Sequence, residues 1–325
     1  MNSYSGEDEL HRYALSATLE PLAWPLVTQY GIEVMVRRDD QLDHELSGNK
    51  FYKLFFNLQA ARAAGVTTVA SYGGAWSNHL HALAAAGRRY GLKTVGVVRG
   101  DQPATLSPTL ADASAYGMTL IFQPRSRYQQ ETRGWNNRAG TASALRAQLG
   151  NEFGDVWVIP EGGANTEGAR GAQAIGHAIE QQLQGEYQQV CIPCGTGTSL
   201  AGVAAGLPAD KVAVGFSVLK GAGDLGANVA QAYRTLSARP RHNWRLISGY
   251  HGGGYGRKLP DYLRRFWREF ELQTKLQLDP VYTLKMFWGI AQLAQQHYWQ
   301  QGTRLVVIHT GGLQGRRGFH QQIDW

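Results

Sequence analysis

One stretch of the sequence combines glycines, hydroxyl side chains and a helix start, and it spans residues 190–207 as VCIPCGTGTSLAGVAAGL. Its first residues form a short apolar run that is typical of the end of a buried strand. Gly195 and Gly197 then bracket a turn at which backbone N–H groups can point inward, and the following helix start adds roughly half a positive charge. Hydroxyl side chains supply further donors at Thr196, Thr198 and Ser199, and either of the last two can cap the helix. The turn therefore predicts a seat for a phosphate monoester.

Two other kinds of phosphate loop do not fit this stretch. A Walker loop needs a lysine after its last glycine, and none follows here. The dinucleotide-binding fingerprint needs Gly or Ala where this chain has Leu200, and no acidic residue closes the next predicted strand, 212–218. On this stretch alone, a strand-to-helix turn without any ligand remains an alternative, because such turns are common in α/β folds.

A lysine in an unusual position is the second chemical feature. The sequence LSGNKFYKL at 46–54 places a flexible Ser-Gly-Asn turn directly before Lys50 and an apolar helical face after it. The helix dipole disfavours a lysine in the first turn of a helix. Lys50 is therefore either exposed and incidental or held there for chemistry. Burial and a neighbouring positive dipole would both lower its pKa, which an amine that forms an imine requires.

A third turn, YGGAWSNH at 72–79, leads into a long helix. Ser77 or Asn78 can cap this helix, which is the simplest reason for their presence. The free N–H groups of the same helix start would also receive a carboxylate. His79 and His81 lie two positions apart and so on different faces of the helix, which argues against a shared metal ion. No metal site is predicted.

A glycine-rich loop, HGGGYG at 251–256, surrounds Tyr255 with four glycines. We interpret this loop as one that presents a phenol to a cleft, and a plain flexible loop is the alternative. Its position after a predicted strand, 244–247, places it where parallel sheets bind their ligands.

Composition narrows the class of protein. The chain of 325 residues has 43% hydrophobic and 18% charged residues, which is typical of a soluble globular enzyme with about two domains. The net charge of +7 comes from scattered basic residues and predicts no nucleic-acid surface. No apolar run approaches the ~20 residues that span a bilayer, and the polar start resembles no signal peptide, so we expect a cytoplasmic enzyme without a membrane partner.

The cysteines do not change this interpretation. Cys191 and Cys194 have the C-x-x-C spacing of redox and metal motifs, but there is no second pair for zinc. On a strand, the two side chains would point to opposite faces. We therefore interpret both cysteines as packing residues.

The elements that must position these turns alternate along the chain. Strands are predicted at 31–36, 67–71, 93–98, 119–122, 156–159, 190–193, 212–218, 244–247 and 304–308, with helices between most of them. This alternation predicts an α/β fold with parallel-type twisted sheets flanked by helices, in which every glycine-rich loop follows a strand. The polar stretch 123–140 is expected to be a surface excursion.

Seven motifs, taken together, resemble the family of 1-aminocyclopropane-1-carboxylate deaminase and D-cysteine desulfhydrase. The resemblance covers residues 19–312, and the motifs that carry it are RRDD at 37–40, SGNKFYKL at 47–54, YGGAWSNHLHALAAAG at 72–87, IPEGG at 159–163, GTGTSLAG at 195–202, LDPVYTLK at 278–285 and IHTGG at 308–312. It implies a pyridoxal-phosphate enzyme of fold type II, the tryptophan synthase β type, and a homodimer. It also implies two domains, a large cofactor-binding domain of 1–58 with 159–325, and a small domain of 59–158 that carries the Ser77-Asn78-His79 helix start.

The resemblance also implies roles for single residues. Lys50 would form the imine with the cofactor and move the α-proton, and Asn78 would hydrogen-bond the pyridine 3-hydroxyl. The cofactor phosphate would be held by four residues of the turn described above, Gly195, Thr196, Gly197 and Thr198. The carboxylate of a small amino-acid substrate would be held by Ser77, Asn78 and His79, with Ser77 as a possible proton relay. Tyr255 and Tyr282 would flank the substrate, and Thr310 would face the pyridine nitrogen.

Two positions bear on the reaction. A neutral Thr310 hydroxyl would weaken the electron sink of the cofactor, which suits expulsion of a β-leaving group. Deaminases that open the cyclopropane ring carry a glutamate where this chain has Thr283. The sequence therefore favours α,β-elimination of D-cysteine to pyruvate, sulfide and ammonia. The alternatives are 1-aminocyclopropane-1-carboxylate deaminase, a related amino-acid lyase such as one acting on cysteate, and a protein that binds pyridoxal phosphate without turnover.

Departures from the family pattern lie beside the predicted substrate position. Family members usually carry glutamine before the Ser-Asn pair and arginine two residues after His79, where this chain has Trp76 and His81. Because Trp76 is expected beside the substrate, the pocket for the leaving group can differ from that of the family.

Overall fold

The strands of the protein form two separate sheets. The computed structural model describes residues 6–46, 48–133, 138–221, 223–237, 242–254 and 258–323. Within these ranges the strands are β1 (Leu19–Pro21), β2 (Glu33–Arg37), β3 (Thr68–Gly73), β4 (Lys93–Arg99), β5 (Met118–Gln123), β6 (Val156–Ile159), β7 (Gln189–Cys194), β8 (Val212–Ser217), β9 (Trp244–Ile247) and β10 (Arg304–Ile308).

The larger sheet has the order β1-β2-β10-β7-β8-β9. Its strands pair in parallel except for β1, which runs antiparallel to β2. In the centre of the sheet, Cys191 of β7 lies beside Val307 of β10 on one side and Val214 of β8 on the other. Strands buried on both faces are expected to be continuously apolar, and β7, β8 and β10 are apolar apart from the polar residues Gln189, Ser217 and Arg304 at their ends.

The smaller sheet has the order β5-β4-β3-β6 and is parallel throughout. The predicted α/β fold with mostly parallel sheets is therefore confirmed. The proposed boundaries between the two domains stay a prediction.

The helices pack on these sheets. They are α1 (Gly6–Leu15), α2 (Pro25–Thr28), α3 (Asn49–Ala63), α4 (Asn78–Tyr90), α5 (Pro108–Ala115), α6 (Arg125–Thr132), α7 (Arg138–Leu149), α8 (Thr166–Leu183), α9 (Thr198–Gly206), α10 (Leu225–Leu236), α11 (Asp261–Thr274), α12 (Thr283–Gln295) and α13 (His320–Ile323). Short 3-10 helices lie at Asp39–Gln41, Asn151–Phe153, Glu161–Gly163 and Leu313–Phe319. Among the described residues, none of these helices combines the length and the apolar character needed to cross a membrane.

The part of the predicted surface excursion at 123–140 that forms α6 lies on the surface, as expected, and most of its side chains are exposed. This helix has little apolar periodicity because only Tyr128 is buried among its residues. The Tyr128 ring packs edge-on against Tyr72 of β3, with 5.6 Å between ring centroids. This aromatic contact, together with the hydrogen bonds that Glu131 of α6 accepts from Tyr72 at 2.9 Å and from Gln123, holds a polar helix against the smaller sheet. Residues 134–137 of the same stretch lie outside the described ranges.

The two cysteines have the packing role predicted for them. Both thiols are free and buried in β7. Cys191 belongs to the hydrophobic cluster that contains Trp267 and Phe287, whereas Cys194 belongs to the cluster on the other face of the sheet. Burial raises the pKa of both thiols, that of Cys194 to about 12, so both stay protonated at neutral pH.

Candidate active site

A cavity of about 730 Å³ lies where the carboxyl ends of strands from both sheets meet. Residues at or just after the ends of seven strands line it, in the order Gly74, Arg99, Phe122, Glu161, Gly195, Leu219 and Thr310. Ligands of parallel α/β sheets bind at this edge. The cavity therefore has the position expected of a ligand site in this fold.

Most of the predicted site residues line this one cavity: Lys50, Ser77, Asn78, His79, Gly195, Thr196, Gly197, Tyr282 and Thr310. Thr198 is buried just behind the wall, with its hydroxyl 3.0 Å from that of Thr196. Tyr255 lies outside the described residues. The cavity brings the amine at position 50 and the turn at 195–198 together, as a single cofactor would require.

Lys50 is the second residue of α3, and glycine fixes the start of that helix. Gly48 precedes it with φ 65° and ψ −146°, a conformation that is essentially restricted to glycine. A side chain at Gly48 would overlap the backbone carbonyl of Thr310, so the helix start lies directly against the end of β10. This close approach explains the Ser-Gly-Asn turn before the lysine.

The surroundings of the Lys50 amine favour its uncharged form. Nζ donates a hydrogen bond to Asn49 Oδ1 at 2.6 Å and lies 5.6 Å from the centroid of the Tyr282 ring. Burial lowers the pKa of Lys50 to about 8, although the charge of Asp279 acts in the opposite direction. An amine with this pKa can act as a nucleophile near neutral pH.

The turn after β7 leads directly into α9, as predicted, but its cap differs from the prediction. Gly197, with φ 81°, occupies the N-cap position of α9 and makes no side-chain cap hydrogen bond. The expectation that Thr198 or Ser199 caps this helix is therefore wrong. A Cβ at Gly197 would lie 2.5 Å from Val229 Cγ2, so packing against α10 requires glycine here. The hydroxyls of Thr196 and Thr198 therefore do not cap the helix.

Sequence reasoning missed a second lysine. Lys53, one helical turn after Lys50, is 4% exposed, and its Nζ donates to Thr196 Oγ1 at 3.3 Å. Burial, and then the charge of Lys50, lowers the pKa of Lys53 well below its ordinary value. The i, i+3 spacing of two lysines on an otherwise apolar helix was the available signal. A buried amine beside hydroxyl groups fits a bound anion.

The start of α4 is capped as predicted. Ser77 Oγ accepts a hydrogen bond from the backbone N–H of Leu80 at 3.2 Å. Asn78 Oδ1 accepts one from Gln314 Nε2 at 3.0 Å, and the Asn78 amide lies against the backbone of Gly312. Gln314, which the sequence did not single out, therefore orients a predicted cofactor ligand.

The two histidines of α4 separate as the helical spacing predicts. The His81 Nε2 lies 3.4 Å from an Asp112 oxygen, and Asp112 also pairs with Arg317. The His79 ring lines the cavity. Within the described ranges no group of three or more His, Cys, Asp or Glu residues is arranged to hold a metal ion.

The turn before α12 fixes Tyr282 at the cavity. The Asp279 carboxylate is buried and accepts hydrogen bonds from the backbone N–H of Tyr282 at 3.0 Å and from the Thr283 hydroxyl at 2.9 Å. A Cβ at Gly195 would lie 3.3 Å from Tyr282 Cε1, so the phenol ring closes over the turn after β7. Thr283 is turned away from the cavity and serves this turn.

The part of the chain between α3 and β6 contributes further side chains to the cavity wall. They are polar, charged and apolar, Trp76, Arg99, Asp101, Leu106, Phe122 and Arg125. A Cβ at Gly318 would lie 2.8 Å from the Trp76 ring, so the indole packs on the segment after β10. Trp76, one of the two departures from the family pattern, therefore forms part of a cavity wall.

A family of enzymes described as pyridoxal-phosphate dependent matches residues 19–311 of this sequence. The chain belongs to this family. The residues described above fit its cofactor, because an amine of lowered pKa can bind the aldehyde, and the turn at 195–198 with Lys53 offers donors to the phosphate. Pyridoxal phosphate is therefore the cofactor of this enzyme.

Two named relatives are similar in sequence to this pyridoxal-phosphate dependent enzyme over most of its length. A putative 1-aminocyclopropane-1-carboxylate deaminase from Thermotoga maritima is 30% identical over 89% of this chain and 92% of the relative. A bifunctional D-cysteine desulfhydrase/1-aminocyclopropane-1-carboxylate deaminase from Arabidopsis thaliana mitochondria is 30% identical over 90% of this chain and 75% of the relative.

A solved structure shows the same fold. The crystal structure of an ACC deaminase homologue is 25% identical in sequence and superposes with a TM-score of 0.80, covering 94% of this chain and 92% of the homologue. The fold of this pyridoxal-phosphate dependent enzyme is therefore fold type II, and its relatives include both deaminases and desulfhydrases.

Proposed function

We propose that this pyridoxal-phosphate dependent enzyme catalyses α,β-elimination on a small amino acid, with D-cysteine giving pyruvate, sulfide and ammonia. The observation that carries the proposal is the shared cavity, in which Lys50 and the 195–198 turn can hold the two ends of one cofactor. When bound, pyridoxal phosphate withdraws electrons from the α-carbon of an amino acid. The remaining steps depend on the protein's own side chains.

Lys50 has two roles in this proposal. Its amine would hold the aldehyde of the cofactor, and the same amine would take the α-proton of the substrate as a general base. The lowered pKa of Lys50, about 8, makes both roles possible close to neutral pH. The Asn49 carboxamide accepts a hydrogen bond from this amine and so directs it within the cavity.

The other residues bind and orient. Lys53, Gly195, Thr196, Gly197 and Thr198 hold the phosphate. The helix start with Ser77, Asn78 and His79 receives the substrate carboxylate, and Asn78 also meets the 3-hydroxyl of the pyridine ring. The phenols of Tyr282 and Tyr255 flank the substrate, and Ser77 relays a proton to the leaving group.

Two threonines support elimination over ring opening. Thr310 offers the cavity a neutral hydroxyl, which suits departure of a β-substituent more than a long-lived carbanion. At the position of the glutamate in ring-opening deaminases, the Thr283 hydroxyl bonds to Asp279 instead. No acid reaches the cavity from that position. Activity as a 1-aminocyclopropane-1-carboxylate deaminase is the second candidate, because the Thermotoga relative carries that name.

A spectrum and a substrate panel test the proposal. The purified enzyme should be yellow, with an absorbance band that Lys50→Ala abolishes. The control is Lys93→Ala, which should leave the band intact because Lys93 lies at the end of β4 that is remote from the cavity. D-cysteine should then yield sulfide and pyruvate. Formation of 2-oxobutanoate from 1-aminocyclopropane-1-carboxylate, without sulfide from D-cysteine, would establish the second candidate instead.

We also propose that the enzyme works in the cytoplasm as a homodimer. The two buried free thiols of β7 suit a reducing compartment. Sedimentation at micromolar concentration should give twice the mass of 35.7 kDa, and a monomer under these conditions would contradict the dimer.

A further inference from the structure

His79 is a buried polar side chain without a partner in the described part of the chain. It is 2% exposed, and neither Nδ1 nor Nε2 has a hydrogen-bonding partner there. Buried polar groups are nearly always hydrogen-bonded, because an unpaired one costs on the order of 1–3 kcal/mol. Since the imidazole lines the cavity, the missing partner is expected to be a bound molecule.

The ring lies on the side of the cavity that faces the phosphate turn. A Cβ at Gly163 would lie 3.1 Å from Lys53 Cβ and 3.4 Å from His79 Cε1, so the ring and the Lys53 side chain share one wall. Lys53 Nζ in turn reaches Thr196 Oγ1 of the turn. The next residue of the same wall, Gly162, would place a Cβ 3.2 Å from Thr196 Cγ2.

The basic groups of this wall suit a bound anion. Burial, followed by the charges of Lys53 and Lys50, lowers the pKa of His79 well below its ordinary value. Burial and the charge of Lys50 lower the pKa of Lys53, and Cys194 acts in the opposite direction. The charge of Asp279 raises the pKa of Lys50 against the effect of burial. Three basic groups thus converge on one region, and a dianion placed there would stabilise all three.

We propose that the His79 side chain donates a hydrogen bond to the phosphate of the cofactor. This inference rests on the proposed seat of that phosphate at the 195–198 turn. It assigns one ligand to the His79 side chain and another to the backbone of the helix start that carries it. The N–H groups of the helix start keep the substrate carboxylate, and the imidazole completes the phosphate site beside Lys53.

A comparison of two ligands isolates the phosphate. The affinities of the cofactor-free, full-length enzyme for pyridoxal phosphate and for pyridoxal, which lacks the phosphate, are measured by absorbance titration. The ratio of the two affinities should fall about tenfold to a hundredfold in His79→Phe, because a hydrogen bond to a charged group is lost. The affinity for pyridoxal itself should change little, and His79→Gln should recover part of the ratio.

His81 supplies the matched control. It is a second buried histidine of α4, but it is paired with Asp112, so His81→Phe should leave the ratio unchanged. As an independent readout, the 31P NMR signal of the bound cofactor should shift in both His79 variants.

Two results would overturn the inference. If both His79 variants keep the wild-type ratio and the 31P signal while the KM for the amino acid rises, the side chain serves the substrate. If the wild-type enzyme binds pyridoxal as tightly as pyridoxal phosphate, the phosphate seat itself fails, and the role of His79 fails with it.

Discussion

The side-chain amide of Asn49 donates a hydrogen bond at 3.0 Å to the hydroxyl of Ser199, 150 positions further along the chain. The same side chain accepts a hydrogen bond from the Lys50 amine. One carboxamide therefore joins the start of α3, which carries the amine, to the start of α9, which carries the phosphate turn. The distance between the two ends of the cofactor site depends on this bridge.

Replacing Asn49 should weaken cofactor binding. Asn49→Ala removes a hydrogen bond from each partner and leaves both less well oriented, so the affinity for pyridoxal phosphate should fall about tenfold. Absorbance titration measures this change. Asn57 of the same helix is the control, because it is buried but bonded to Asn165. Asn57→Ala should lower the melting temperature and spare the affinity, and equal losses of affinity in the two variants would contradict the bridge.

The capture of cofactor should depend on pH through Lys50. Because the pKa of Lys50 is lowered from its ordinary value of 10.5 to about 8, the uncharged amine becomes the major form above pH 8. The rate at which cofactor-free enzyme binds pyridoxal phosphate, followed by stopped-flow absorbance, should rise with a midpoint near pH 8 and level off about one pH unit above it.

The charge of Asp279 should contribute to the pH at which the rate of cofactor binding is half-maximal. Its charge raises the pKa of Lys50, so Asp279→Asn should move the midpoint to lower pH. The amide oxygen of asparagine can still accept hydrogen bonds from the turn at Tyr282. A midpoint that moves upward, or a rate that climbs steadily to pH 10, would show that another group controls the reaction.

Gly48 should tolerate substitution less well than a glycine of similar φ. Gly65 closes the same helix with φ 71° and has open space around its Cβ position, whereas a side chain at Gly48 would meet the backbone of Thr310. Gly65→Ala should cost about 1–2 kcal/mol of unfolding free energy. Gly48→Ala should cost more and should also weaken cofactor binding, because the helix start must shift. Similar losses in urea denaturation would show that contact with β10 does not matter.

Lys285 should make the enzyme relatively more stable at alkaline pH. Its buried Nζ donates to the carbonyls of Val218 at 3.0 Å and Gly254 at 2.7 Å, and burial lowers the pKa of Lys285 to about 8, against an opposing effect of Asp279. Between pH 8 and 10.5 the unfolded chain binds this proton and the folded chain does not, so folding gains stability as the pH rises.

Lys285→Met removes that dependence. The stability of the wild type relative to Lys285→Met should increase from pH 7.5 to pH 9.5 in urea denaturation, while other titrating groups cancel in the comparison. At pH 7.5 the variant should already lose protection of the loop at 251–254 in hydrogen exchange. A difference in stability that is constant with pH would contradict the role of the Lys285 proton.

Much of the architecture follows from local patterns. The strands β6, β9 and β10 begin and end at the predicted residues, because each is a short run of apolar or β-branched residues. The helix α1 was not predicted, since only two of its residues, Leu10 and Ala14, are buried, although its acidic first turn is a signal for a helix start. The helix α5 begins at Pro108, where the Ser107 hydroxyl caps it by accepting a hydrogen bond from the backbone N–H of Leu110. Local patterns therefore gave the sheets and missed polar helices that depend on tertiary contacts.

The candidate site was predictable in its parts and not in its geometry. Spacing and turn chemistry pointed to Lys50 and to the turn after β7, and both line the cavity. Lys53 was missed because a second lysine in a helix is usually solvated, and only the packing of α3 buries it. The His79 ring lies close to Gly163, which is 84 positions away, and no local pattern contains that information.

The two thiols of β7 provide a probe of the enzyme's internal motion. The sequence contains no other cysteine, and each thiol lies in a different face of the strand that leads to the phosphate turn. An alkylating reagent can reach Cys191 only when its face of the sheet opens to water, whereas Cys194 also lines the active-site cavity. The two alkylation rates, separated by mass spectrometry, would therefore report the opening of the sheet at Cys191 and the shielding of the cavity by bound cofactor at Cys194.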